Sequence, residues 1–457
     1  MTTAQIYLSR DGAEQFLARA DDVGFEPDTT TEAAVVNLFP ERRYQAILGF
    51  GGAFTETSAY NFAQVSPDNQ AKILRAYFDK ATGLGLNFCR TQIHSSDFSL
   101  AEYTYVDDGD ASLASFSIEH DRRWLLPFIK AAQALAGDLL LFASPWSPPA
   151  WMKDNGKFIE GGKLLPQYAD TWARYMAKYL TEYGKEGIDF FGLSVQNEPA
   201  AAQTWESCQY SAEEEALFVR DHLKPALVAA GLPEARILIW DHNKERVYDR
   251  ARDVLAQPGV AECVWGVAFH WYSGDHFAGL AMAHEAFPDK ALVFSECSVG
   301  SGRREIMTGP HSSWDGLALH TRELIGDFNN YTTAVVDWNL IVDETGGPYH
   351  NRDAGCKAPI VVDPTTDTVT LEPLYYAVAH FSRFVARGAV RIGSSTFSDE
   401  VPAVGFVNPD SALVAVLLNT AATEQPVNLR LNDTVAAIVL PARTLATVVV
   451  PAAPAAA

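Results

Sequence analysis

Eight short runs between residues 45 and 340 each begin apolar and end in polar or aromatic residues, with longer helical patterns between them. They are "QAILGFGG" (45–52), "LNFCRTQIH" (86–94), "LLLFASPWSP" (139–148), "FFGLSVQNEP" (190–199), "RILIWDHN" (236–243), "WGVAFHWY" (265–272), "ALVFSECS" (291–298) and "TTAVVDWN" (332–339). Such alternation marks βα units and a parallel sheet. The repeated asymmetry chooses among parallel-sheet folds. In a (β/α)8 barrel the carboxyl ends of the strands form the active face, so polar residues collect there. A doubly wound open sheet is the alternative, and eight units with polar ends favour the closed form. The expected fold class is therefore α/β, a (β/α)8 TIM barrel.

The connectors carry helix-start signals. Ser66 followed by Pro67 places an N-cap before a proline at the first helical position, and Ser211 with Glu214 has capping-box spacing ahead of "EALFVRDHL". After about residue 390 the pattern changes to short β-like runs, "VPAVGFVN", "SALVAVLLN", "PVNLRL" and "TLATVVV", separated by turn material. The N-terminal "QIYLSRD" and "AAVVNLF" are β-like too. The expected organisation is N-terminal strands (1–44) joining a C-terminal β-sandwich (389–451), a barrel between them (45–388), and a disordered tail (452–457) of low complexity.

Composition narrows the partners. A formal charge of -22 repels phosphate backbones and anionic lipid surfaces, so nucleic acid is not an expected partner. No run of about 18 apolar residues argues for an integral membrane segment. The start, "MTTAQIYLSRDGAEQF", lacks a basic n-region followed by an apolar stretch, which predicts a cytoplasmic protein unless a leader has been removed. The five cysteines, Cys89, Cys208, Cys263, Cys297 and Cys356, show no zinc-like spacing and read as free thiols.

Two strand ends carry glutamates, Glu198 in "QNEP" and Glu296 in "FSEC", on the fourth and seventh runs. Paired carboxylates across a barrel mouth can divide the work of glycoside hydrolysis between an acid of raised pKa and an ionised nucleophile, about 5 to 5.5 Å apart in retaining enzymes. A lone glutamate is more often a solvated loop carboxylate, but each of these terminates a buried run, where a charge is costly without a function. Other strand ends supply Arg90, His94, Asp97, Trp146, Trp151, Asp241, His242, His270, Trp271, Tyr272, Asp337, Trp338 and Asn339. Aromatic faces beside carboxylates and amides suit a neutral sugar, and several of the ten tryptophans are placed to form a stacking platform.

Rival chemistries find weaker patterns. His242, His270, Asp241 and Glu296 lack HxH or HExxH spacing, so neither a metal nor another cofactor is expected. "GFGGAF" (49–54) lacks the dinucleotide fingerprint, and its glycines are read as a tight turn beneath the substrate floor. A non-catalytic sugar-binding barrel is the reading from another class.

In order, "GFGGAFTETSAYN", "ASPWSPPAWMK", "QNEP", "FHWY", "SEC", "DWN" and "ETGGP" resemble glycoside hydrolase family 30, the family of acid β-glucosylceramidase and related bacterial and fungal enzymes. The resemblance spans about residues 45 to 390. It implies a barrel with a side β-sandwich built from both chain ends, and a retaining double displacement without metal. Residue by residue, it implies Glu198 as acid/base and Glu296 as nucleophile. Asn197 matches the residue that reads the sugar 2-hydroxyl, and Arg90 an arginine supporting the nucleophile. Asp97 with the adjacent Phe98, Trp146, His270, Tyr272 and Trp338 match the lining of the sugar site, with Asp241 and His242 at the fifth strand. The sequence departs from acid β-glucosylceramidase at Cys297 and Ser298, at Asp241–His242, and in "GGPYHNRDAGCKAPI", where Asp353 is the nearest match to a substrate-binding asparagine. "TWESCQYSAEEE" and "IWDHN" look more like bacterial members and the β-1,6-glucanase branch. The implied substrate is a β-glucoside, a β-glucan or a glycolipid, with β-xylosides as a further possibility within the family.

Overall fold

The computed structural model describes residues 3–29, 31–299, 313–353 and 355–452. All eight runs form parallel strands of one closed barrel. They are β1 (Gly49–Phe54), β2 (Phe88–Ile93), β3 (Leu140–Pro145), β4 (Gly192–Ser194), β5 (Arg236–Asn243), β6 (Gly266–His270), β7 (Ala291–Glu296) and β8 (Thr332–Asn339). The ring closes where β8 pairs with β1, Ala334 opposite Gly49. Phe88, Phe142, Leu238, Ala268, Val293, Ala334 and Val336 pack inside it. A barrel interior filled this way is a core and not a pore, leaving only the carboxyl-end mouth for chemistry.

The glycines of "GFGGAF" correct their expected role. They are strand residues, not a turn, and a Cβ on Gly51 would lie 1.8 Å from the carbonyl oxygen of Phe88 on β2. Close approach of β1 to its neighbour is what excludes a side chain here.

Both cap signals operate. Ser66 accepts from the Asn69 amide, with Pro67 opening the helix Pro67–Phe78. Ser211 and Glu214 form both arms of a capping box, at 3.1 and 2.7 Å. The helix that follows passes through a π-type segment, Phe218–Leu223, before resuming at Lys224.

The chain ends meet in an 11-stranded sheet. Thr3–Arg10 pairs antiparallel with Thr444–Val450, and Val35–Ala46 pairs antiparallel with Val390–Ser395. One pairing is parallel, Gln425–Leu431 against Val35–Ala46. Residues from both flanks of the sheet, such as Ile6, Val448, Val427 and Ile438, share one apolar core, so the sheet folds over itself as a sandwich. His380, on the helix Pro373–Ser382, bonds to Ser9 and Thr447 at 2.8 Å each and ties the barrel to the sandwich. A small sheet of Ile341–Asp343, Ile360–Asp363 and Thr368–Leu371, which the sequence pattern did not suggest, follows β8. Of the tail, residues 453–457 lie outside the described residues. No described helix is long and apolar enough to cross a membrane, and all five cysteines are free.

Candidate active site

Strand ends at the mouth are locally irregular, and the irregularities aim the polar side chains. Pairing shifts register between Trp240 and His242, so Asp241 occupies a bulge. A second shift skips Ser295 and sets His270 opposite Glu296. Bulges re-aim side chains in this way at barrel rims. Glu198 and Asp241 both have φ near +48°, a left-handed conformation unusual for these residues. Their neighbours hold them there: the Glu198 amide donates to the Asp241 carbonyl at 2.9 Å, and the Asn197 amide to the Pro145 carbonyl at 2.8 Å. Backbone strain of this kind persists where surrounding structure over-determines it.

The two glutamates come together as the pattern predicts. One oxygen of Glu198, one of Glu296 and a ring nitrogen of His270 all lie within 4.8 Å of one another. Glu296 is anchored at both oxygens. Arg90 donates to Oε2 at 2.5 Å and the Tyr272 hydroxyl to Oε1 at 2.8 Å. Arg90 is fully buried and is itself held by the Asn197 side-chain oxygen and Asp241 at 2.8 Å each, and by Ser144 at 2.9 Å. A guanidinium with several fixed acceptors orients a carboxylate in a way a flexible ammonium does not.

Glu198 faces imidazoles. His270 Nδ1 lies 3.2 Å from Oε1, His242 Nε2 lies 4.0 Å from the same oxygen, and Gln203 donates to Oε2 at 3.3 Å. The expected raised pKa is corrected here. Burial pushes the Glu198 carboxyl up, but His242, His270 and Gln203 outweigh it and bring it down to about 2. Burial works against a charge on His270, yet Glu296, Asp241 and Glu198 raise it to about 9. Burial lowers His242, against the pull of Glu198.

Trp146 and Trp338 line the floor, stacked on each other at 5.2 Å with the Arg90 guanidinium 4.7 and 5.6 Å from their rings. Both are buried, at 2% and 4% exposure, so the expected open stacking platform is instead a largely covered floor. Phe98 packs edge-on to Trp338 at 5.9 Å. Asp97 is buried nearby and pairs with Arg352. Burial raises Asp97 to about 6 even against that guanidinium.

Some strand-end residues belong elsewhere. His94 is a core histidine, bonded to the Tyr175 hydroxyl and the Ser147 carbonyl, and burial lowers it to about 4. Asp353 is exposed, and its neighbour Arg352 turns inward to Asp97, with Phe98 and Trp205 beside the guanidinium. Sequence reasoning missed Arg352, Gln203 and the serines Ser144, Ser194 and Ser295 around Asp241. The serines sit within apolar strands, where spacing gives no signal distinct from core alternation. Among the described residues, one further cluster has metal-ligating types, Cys297, His320 and Asp337, whose Cys297 Sγ donates to Asp337 at 2.8 Å.

Residues 47–385 match the model of the glycosyl hydrolase family 30 TIM-barrel domain, and residues 388–448 that of the family 30 beta sandwich domain. The chain is 32% identical over 421 residues to the lysosomal acid glucosylceramidase of Mus musculus, covering 88% of this chain and 81% of that one. Among solved structures it is similar to SrfJ from Salmonella typhimurium, with a TM-score of 0.94, 35% identity and coverage of 99% and 100%. An endo-beta1,6-glucanase is similar with a TM-score of 0.86, 27% identity and coverage of 98% and 100%. With both of its domains matched by one family's models, the chain belongs to glycosyl hydrolase family 30.

Proposed function

We propose that this family 30 hydrolase cleaves β-glucosides by double displacement, with Glu296 as nucleophile and Glu198 as acid/base. The observation that carries the reading is the pair of facing carboxylates, with oxygens within 4.8 Å. An approach this close accords with the about 5 to 5.5 Å between carboxyl groups in retaining enzymes rather than the about 6.5 to 9.5 Å in inverting ones. Their surroundings divide the roles. Glu296 accepts from Arg90 and Tyr272 and, among the described residues, has no imidazole bonded to it, which suits a fixed nucleophile. Glu198 touches His270 and Gln203, groups that exchange or steady a proton.

In the first step Glu296 attacks the anomeric carbon while Glu198 protonates the departing oxygen. In the second, Glu198 takes a proton from water, whose oxygen displaces Glu296 and restores the starting configuration. The Asn197 side-chain oxygen is held by Arg90, which points its amide nitrogen away from the guanidinium and leaves it free to bond the 2-hydroxyl. Asp97 and Arg352 offer a bidentate grip for hydroxyls of the terminal sugar, over the floor of Trp146 and Trp338.

The glucosylceramidase relative supports a glucoside with an apolar leaving group, as in glucosylceramide. The endo-beta1,6-glucanase likeness supports β-1,6-glucan as the second reading. A panel of glucosylceramide, β-1,6-glucan, aryl β-glucoside and aryl β-xyloside separates them, with proton NMR following the first-formed anomer. Release of β-glucose from the glucosides is the expected result. First-formed α-glucose, or no turnover of any member, would overturn the reading.

A further inference from the structure

Among the described residues His270 makes two hydrogen bonds, and the protons in them give it more than a lining role. Asp241 is surrounded by donors. Its Oδ2 accepts from Arg90 at 2.8 Å and contacts the Ser144 and Ser194 hydroxyls at 3.0 and 2.6 Å. Its Oδ1 accepts from the Ser295 hydroxyl at 2.6 Å and faces His270 Nε2 at 3.1 Å. A carboxylate so supplied is ionised and accepts only, so Nε2 carries a hydrogen. The other nitrogen, Nδ1, then faces Glu198 Oε1 at 3.2 Å. That contact is a hydrogen bond only when one proton lies in it, on nitrogen or on oxygen. The two arrangements carry the same net charge.

We propose that His270 is a positioning residue that stores the proton Glu198 delivers, the two side chains sharing one proton while Asp241 fixes the ring's tautomer. This rests on the assignment of Glu198 as acid/base. It also resolves an apparent conflict, since the carboxyl held low by its imidazole neighbours has its proton waiting one hydrogen bond away. Substrate entry removes water from the mouth and makes an imidazolium and carboxylate pair dearer than a neutral pair. The Nδ1–H bond then breaks as the Glu198 O–H bond forms. Glu198 passes that proton to the glycosidic oxygen as Glu296 bonds to the anomeric carbon and the carbon–oxygen bond to the leaving group breaks. In the second step the proton removed from water returns to Glu198 and thence to Nδ1, and Glu296 regains its charge. Atoms and charge balance over the cycle.

The groups facing His270 are Glu198 from β4, Asp241 and His242 from β5, Glu296 from β7 and Tyr272 beyond β6. Among the described residues only Glu198 and Asp241 bond to its ring, so the basic limb of kcat/KM reports the shared proton. The test is His270→Asn, whose amide still donates toward Glu198 but holds no titratable proton, with His270→Gln as a second variant and thermal melting to establish folding. Without the imidazole, Glu198 alone must hold the proton and loses it earlier as pH rises. The basic limb should fall by at least about two pH units, as expected when a catalytic acid loses its proton store. The loss in kcat/KM should be at least about tenfold greater for an alkyl β-glucoside, which needs the proton, than for a dinitrophenyl β-glucoside, which does not. A folded variant whose limb stays in place, with equal losses on both substrates, would overturn the proposal. Glu198→Gln is the control. If it keeps wild-type turnover on the alkyl glucoside, the acid/base assignment itself fails, whatever His270 does.

Discussion

At the residue scale, roles follow from what each carboxylate touches. Glu296→Ala and Glu198→Gln should each lower kcat on an alkyl β-glucoside by about 10³-fold or more while leaving the melting temperature near wild type. An azide-rescued Glu198→Ala enzyme acting on a dinitrophenyl glucoside should yield glycosyl azide, and its absence in the presence of restored turnover would count against the assignment. Arg90→Lys keeps the charge but loses the fixed geometry that reaches Glu296, Asn197, Asp241 and Ser144 together. Its kcat should fall by about 10²-fold, comparable with removing a transition-state support, and Arg90→Lys activity equal to wild type would show that charge alone suffices. Both glutamates were legible in the sequence because each interrupts a buried run. Arg352 was not, because a charged residue in an irregular loop carries no pattern that tells whether it turns inward. The direction of the Glu198 shift was also hidden, since it depends on which imidazole nitrogen faces which oxygen.

At the element scale, short-range signals transferred well and close approach did not. The Ser66 and Ser211 caps were readable because a cap is a contact between residues three apart. Ser211→Ala should cost about 1 kcal/mol in chemical denaturation, the usual worth of an N-cap. The glycines of β1 were misread as a turn because the pressure on them comes from β2, 37 residues on from Gly51 at Phe88. Gly51→Ala places a methyl against a backbone carbonyl that cannot step aside. It should cost about 3 kcal/mol or prevent soluble expression, since overpacked cores lose about 1 to 3 kcal/mol and backbone clashes more. The bulges that aim Asp241 and Glu296 gave no sequence signal, because pairing register is a property of two strands and not of one.

At the scale of the whole molecule, the barrel and sandwich are joined through buried polar contacts as well as apolar ones. His380 holds the barrel's last helix to Ser9 and Thr447 of the sandwich and stays neutral, its pKa lowered by burial to about 3. His94 behaves alike at about 4. For a histidine with a folded pKa below its unfolded value near 6.5, the stabilisation is fully present above pH 6.5 and drains away as pH falls toward the folded value. The part of the stability carried by His380 and His94 should therefore fall between pH 6.5 and 4, and His380→Gln should reduce that fall in denaturation curves taken across the range. An unchanged fall would mean the link does not titrate as described. The pairing of both chain ends in one sandwich was legible as β-like runs on either flank, whereas the parallel strand pair within it required the fold to be seen.

The central claim is that Glu296 forms a covalent bond to the sugar, and trapping that bond tests it most directly. Incubation with 2-deoxy-2-fluoro-β-glucosyl fluoride, then peptide mass spectrometry, should find one fluoroglucosyl group per chain on the peptide containing Glu296, and none in Glu296→Ala. Adduct on another residue, or inactivation without any adduct, would contradict the account.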